Sequence, residues 1–146
     1  MAITQALANS FKKELLEAEH DFTQTTGDKF KIALYTSSAT LNSATTSYTT
    51  GNEVGASGQY TAGGGALVNN GTSIASGVAI VDFADRSFTG VTLTARGALI
   101  YNTSSATTNA AVAVLDFGGD KTATSGTFTV QFPAYTTSAA ILRISG

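Results

Sequence analysis

One histidine, no cysteine and no tryptophan leave this chain of 146 residues little with which to build a nucleophilic, redox or metal centre. His20 lies between Glu19 and Asp21 at the charged end of a helical segment, where it reads as a solvated side chain; a single His rules out a His-rich metal site. Asp116-Phe117-Gly118 copies the metal-binding tripeptide of protein kinases, but the glycine-rich and catalytic-loop motifs that give it meaning are missing. Gly119-Asp120-Lys121-Thr122 lacks the upstream glycine spacing of a phosphate loop and reads as a hairpin turn. Asp82 with Asp85, or Asp116 with Asp120, could offer oxygen to Ca²⁺, yet neither spacing matches an EF-hand. Asn70-Gly71-Thr72 and Asn102-Thr103-Ser104 fit the glycosylation pattern, which arises by chance in a chain of which about a quarter is Ser and Thr. Arg96 interrupts an apolar strand, so it either faces solvent or pairs with a carboxylate such as Asp82 or Asp116 across the sheet. No catalytic residue, cofactor site or metal site is expected, and an enzyme is not the reading.

The elements that would carry these residues divide into two kinds. Ile3, Leu7, Phe11, Leu15, Ala18 and Phe22 recur every three or four residues, which predicts one amphipathic helix over about residues 3–20 with Thr4 near its N-cap. Lys12, Lys13, Glu14, Glu17 and Glu19 fall largely off that stripe and form a solvated face. Leu7, Phe11, Leu15 and Phe22 are the residues expected to contact a partner. From Asp28 the period changes to two. Phe30, Ile32 and Leu34 alternate with Lys31, Ala33 and Tyr35 as in a strand.

Residues 37–58 have no sustained pattern and predict a long loop or arm. Further strands are expected over Tyr60–Val68, bent at Gly63-Gly64-Gly65, and over Val78–Phe83, Val91–Asn102, Ala110–Phe117, Gly126–Phe132 and Ala139–Ile144. Asn69-Asn70-Gly71 supplies turn chemistry, and Pro133 marks a strand end. Val78–Phe83 and Val112–Phe117 resemble each other as a weak internal repeat. Apolar residues at both parities of these strands require cover on both faces, from the helix, a second sheet or a neighbouring copy.

The regular spacing predicts a single mainly β domain over 1–146, an antiparallel β-sandwich, jelly-roll-like, with one N-terminal amphipathic helix. A composition of 42% hydrophobic and 12% charged residues supports one packed core. The formal charge of −2 offers no positive field to a phosphate backbone, so nucleic acid is not an expected partner. No signal peptide or membrane anchor is visible.

Phe30-Lys-Ile-Ala-Leu-Tyr-Thr36, Asn52-Glu-Val-Gly55, Gly58-Gln-Tyr-Thr-Ala-Gly-Gly64, Asp82-Phe83, Thr94 to Asn102, Ala113 to Gly118 and Gly126 to Pro133 together resemble a family of small virion structural proteins of tailed bacteriophages. The likeness spans almost the whole chain. It implies a β-sandwich carried on the particle in the virion, after assembly in the host cytoplasm, with no activity and no cofactor. Its expected partners are further copies of itself, as a homotrimer by analogy with cement proteins, and the major capsid protein. The expected role is capsid cement or decoration; the alternative is a tail-, neck- or fibre-associated module contacting tail proteins.

Overall fold

The computed structural model describes residues 2–146. In chain order it contains β1 (Ala6–Leu7), α1 (Asn9–Leu16), β2 (Phe30–Tyr35), β3 (Gly65–Ala66), β4 (Asn69–Ala75), β5 (Val78–Phe83), β6 (Arg86–Asn102), β7 (Ala110–Val130) and β8 (Leu142–Ile144). Strand accounts for 48% and helix for 6%, so the chain is mainly β with one short helix, as its patterning predicts. A five-stranded sheet has the order β1-β7-β6-β2-β3 and a three-stranded sheet the order β4-β5-β8; every pairing between them is antiparallel.

The five-stranded sheet is the middle of the molecule, and its register explains why both parities are apolar. Ile32 opposes Ile100, which opposes Ala113, and Phe30 opposes Asn102; these residues share one face. Phe22 stacks on Phe30 and meets Phe83 of β5, with centroids at 4.6 and 6.4 Å, so α1, its exit segment and the small sheet cover that face. Tyr35, Ala33, Leu99 and Tyr101 lie on the other face. There Tyr48 stacks on Tyr101 at 4.8 Å, and Ala39, Leu41 and Val54 are buried. Residues 37–58 are therefore irregular, as expected, but they lie down on their own sheet as its second cover instead of extending as an arm. Their isolated bridges, Ser47 to Ala110 and Tyr35 to Glu53, fasten them at both sides.

The helix is the main departure from the sequence pattern. It runs only from Asn9 to Leu16, and not over residues 3–20. Ala6 and Leu7 instead pair with Val114 and Ala113 at the free edge of β7, and Ile3 bridges to Leu41. Ala8 is extended, with φ −63° and ψ 135°, and offers no side-chain cap; Thr4 caps nothing. At the other end Ala18 has φ 61°, which stops the helix before His20. The three- and four-residue spacing survives as burial on one side of the chain. A sheet edge supplies hydrogen bonds that a further turn of helix would otherwise have to make.

Ala110–Phe117 and Gly126–Phe132, expected as separate strands, merge, the second as far as Val130, into the single 21-residue β7, which pairs with the 17 residues of β6. The four extra residues are absorbed by register shifts, the largest between Ala95–Lys121 and Gly97–Asp116, where Phe117 to Asp120 bulge out opposite Arg96. The two repeat-like segments fall in different sheets. Residues Asn69 to Gly71 lie in β4, where their turn chemistry serves a bulge with Gly71 at φ 93°. Of the expected strand Tyr60–Val68 only Gly65–Ala66 forms a strand, Tyr60 making an isolated bridge to Ser57, and the last strand shortens to Leu142–Ile144.

Gly64 sits at φ 82°, and a Cβ there would land on the carbonyl of Ile32. Gly64→Ala should cost upwards of about 2 kcal/mol, combining left-handed strain with a backbone clash. Gly77→Ala, at φ 74° in open space, should cost only on the order of 1 kcal/mol. Urea denaturation of the two variants measures the difference.

Candidate functional site

The residues singled out for chemistry are mostly tied into structure. Arg96 Nε donates to Asp116 Oδ1 at 3.0 Å, realising one of the two internal pairs open to it. The Gly118 amide donates to the same oxygen at 2.9 Å, and that bond, followed by Arg96, holds the Asp116 carboxyl below its ordinary value. Asp82 is buried and accepts from Asn70 Nδ2, whereas the exposed Asp85 accepts from the amide of Phe132. Among the described residues no group of three or more His, Cys, Asp or Glu could hold a metal ion. No helix among them is long and apolar enough to cross a membrane.

His20 corrects the expectation of a solvated residue. Its side chain is fully enclosed, with Nε2 at 2.9 Å from Glu14 Oε1 and Nδ1 at 2.9 Å from Asn102 Nδ2. Phe11 lies 4.8 Å from its ring. Glu14 is likewise buried and leaves the solvated face to which its position assigned it. The short helix is the cause: the chain turns back after Ala18 and places residue 20 over the sheet instead of along a helix axis.

A second polar cluster closes the opposite face. Tyr48 and Tyr60 hydroxyls donate to the two oxygens of Glu53 at 2.6 and 2.7 Å, and the Gly63 amide donates at 2.8 Å. The Tyr60 hydroxyl also accepts from the Leu34 amide at 2.8 Å, Tyr35 donates to the Thr49 carbonyl, and Tyr101 to that of Gly63. Burial, reinforced by the charge of Glu53, lifts the hydroxyls of Tyr35, Tyr48 and Tyr60 far above the ordinary tyrosine value and that of Tyr101 to about 12. Glu53, Tyr35, Tyr60, Gly63 and Tyr101 all belong to the segments Phe30–Thr36, Asn52–Gly55, Gly58–Gly64 and Thr94–Asn102. Those segments thus build the fold, and sequence reasoning quoted them without seeing that they meet.

The four expected contact residues do come together. Leu7, Phe11, Leu15 and Phe22 line one open groove of about 570 Å³ between α1 and the small sheet. Its other side is Ala79, Val81, Leu142 and Ile144, which share a face because Ala79 opposes Ile144 and Val81 opposes Leu142. Ile74 extends that row, since it opposes Ala79 across β4. The depth of the groove is core, with Phe11 2% exposed; its rim is not, with Leu16 91%, Ile74 72% and Ile144 62% exposed. Leu16, Ile74 and Ile144 were missed by sequence reasoning because Leu16 is off the helical stripe and the other two become neighbours only through strand pairing. The site is thus an apolar groove with an exposed apolar rim on a mainly β module. In comparison with known proteins, the chain matches no family model, no curated protein and no solved structure.

Glu53→Ala should destabilise the protein by about 2–5 kcal/mol, because it strands two hydroxyls and an amide at once; chemical denaturation checks this. The raised tyrosines give a second expectation. The folded chain keeps their protons above pH 10 while the unfolded chain releases them, so their stabilisation is complete below about pH 10 and is lost as pH rises toward 12. Tyrosinate absorbance should therefore rise together with loss of the β-sheet circular dichroism signal.

Proposed function

We propose that the chain is a non-enzymatic structural protein of a tailed-bacteriophage virion, bound to the head as a cement or decoration protein and acting as a homo-oligomer, with a trimer as the working assignment. The resemblance supplies the particle. The observation that carries the contact role is the apolar surface running from Leu16 across the groove to Ile144 and Ile74, large side chains left in water. Asp85, Asp116, His20 and Arg96 each have structural partners, which supports a protein that works by holding position. Modest contact energies repeated over the symmetric positions of a shell can stabilise it without chemistry. In this reading the occupant of the groove is a neighbouring capsid subunit.

Leu16→Asp and Ile144→Asp alter exposed side chains and should leave the isolated protein within about 0.5 kcal/mol of wild type. Each should nevertheless weaken binding to particles that lack the protein by at least about tenfold and fail to restore their heat resistance. Phe11→Ala should instead cost about 3–5 kcal/mol in the isolated protein, because Phe11 is core. Rim variants that bind and protect like wild type would remove the groove from the reading. Particles that lose adsorption to cells but keep heat resistance when the protein is missing would move it from head to tail.

A further inference from the structure

We propose that His20 is an acid-sensitive latch holding the helix side of the groove against the central sheet. The argument begins at Asn102, which is fully buried. Its Oδ1 accepts from the Ser104 amide at 2.8 Å and its Nδ2 donates to Asp28 Oδ2 at 2.7 Å, so both ends of the amide are oriented by their partners. The amide nitrogen therefore faces His20 Nδ1, which must accept. That leaves the ring hydrogen on Nε2, donated to Glu14 Oε1. The folded chain holds a neutral imidazole in a single tautomer, enclosed between Phe11 and Phe22.

A second proton would go on Nδ1 and point its N–H at the NH₂ of Asn102. Rotating that amide is no remedy. It would turn the carbonyl toward the Asp28 carboxylate and the NH₂ toward the Ser104 N–H, replacing two bonds by two conflicts.

The charged groups around the ring are Glu14 and, nearer solvent, Lys12 on α1, with Glu19, Asp21, Asp28 and Lys29 on the connection to β2 and Arg143 of β8 on the groove's far side; Asn102 of β6 brings none. Glu14 offsets part of the new charge, but its bond to Nε2–H exists in both protonation states and is not gained. Asp21 is exposed and engaged by the Thr23 amide, Glu19 Oε2 accepts from the Thr107 amide, and Lys29 donates to the Thr25 carbonyl. Protonation thus breaks the tie between His20 and β6. Since Phe11, His20 and Phe22 all line the groove, its helix side loosens with it. Acid therefore acts on the fold through a hydrogen bond that only a ring with a bare Nδ1 can accept.

The test uses the full chain. His20 is the only histidine, so its ring nitrogens are unambiguous in long-range ¹⁵N–¹H NMR at about pH 7.5, where the neutral Nε2–H form is expected. Thermal denaturation between about pH 7.5 and pH 5 should show the melting temperature falling by several degrees, with binding of a dye that reports exposed apolar surface rising in parallel. In His20→Gln the side-chain amide can donate to Glu14 and accept from Asn102 without titrating, so the fall should be absent. Glu14→Gln, which removes the offsetting charge, should make it steeper. An Nδ1–H tautomer or an imidazolium at pH 7.5, a flat wild-type profile, or an equal fall in His20→Gln would each overturn the proposal. If His20→Gln does not fold, the wild-type tautomer and pH profile decide it.

Discussion

A loop of some twenty residues can cover a sheet only if its polar backbone and its one carboxylate find partners there, and Glu53 is where that condition is met. Its two oxygens collect two tyrosine hydroxyls and an amide, and one of those hydroxyls also takes up the Leu34 N–H of the central sheet. The negative charge is thus distributed over three donors instead of being left bare in an apolar setting. Tyrosine suits the task because the ring adds buried area while the hydroxyl reaches a partner. Without this cluster, Ser37 to Gly58 would have the composition of a free linker.

With that face closed by a loop, the other is free to take the helix, the exit segment and the small sheet. The middle sheet can then be apolar throughout its centre, with Ala98, Leu99 and Ile100 all fully buried in consecutive positions. The long β6–β7 hairpin gains from the same arrangement. Its bulges bend it so that one half lies inside the molecule while the other, bearing rows of Thr such as Thr94 opposite Thr122, meets solvent. Arg96 and Asp116 mark the place where the change occurs.

The two polar clusters differ in kind. Around Glu53 a carboxylate is satisfied by two tyrosine hydroxyls and a backbone amide, none of them charged. Around His20 an uncharged amide and a carboxylate hold the two ring nitrogens, and the elements so joined are those that form the groove.

Much of this architecture was legible in the amino-acid order. The alternation in Phe30–Tyr35 and Val78–Phe83 determines strands, the double parity determines that the central strands are covered on both sides, and the lack of pattern in 37–58 determines a loop. Even the grouping of Leu7, Phe11, Leu15 and Phe22 was visible, because spacing reports which residues share a side. What spacing cannot report is the partner that a backbone or side chain will find far along the chain. Ala6 and Leu7 left the helix for Val114 and Ala113, β7 ran through its glycines because β6 lay beside it, and His20 became core because Asn102 was there to receive it. Periodicity records a preference for burial or exposure, which is local. Helix length, strand continuity and the burial of Glu14 and His20 are settled by competition among hydrogen-bond partners that only the folded chain brings within reach.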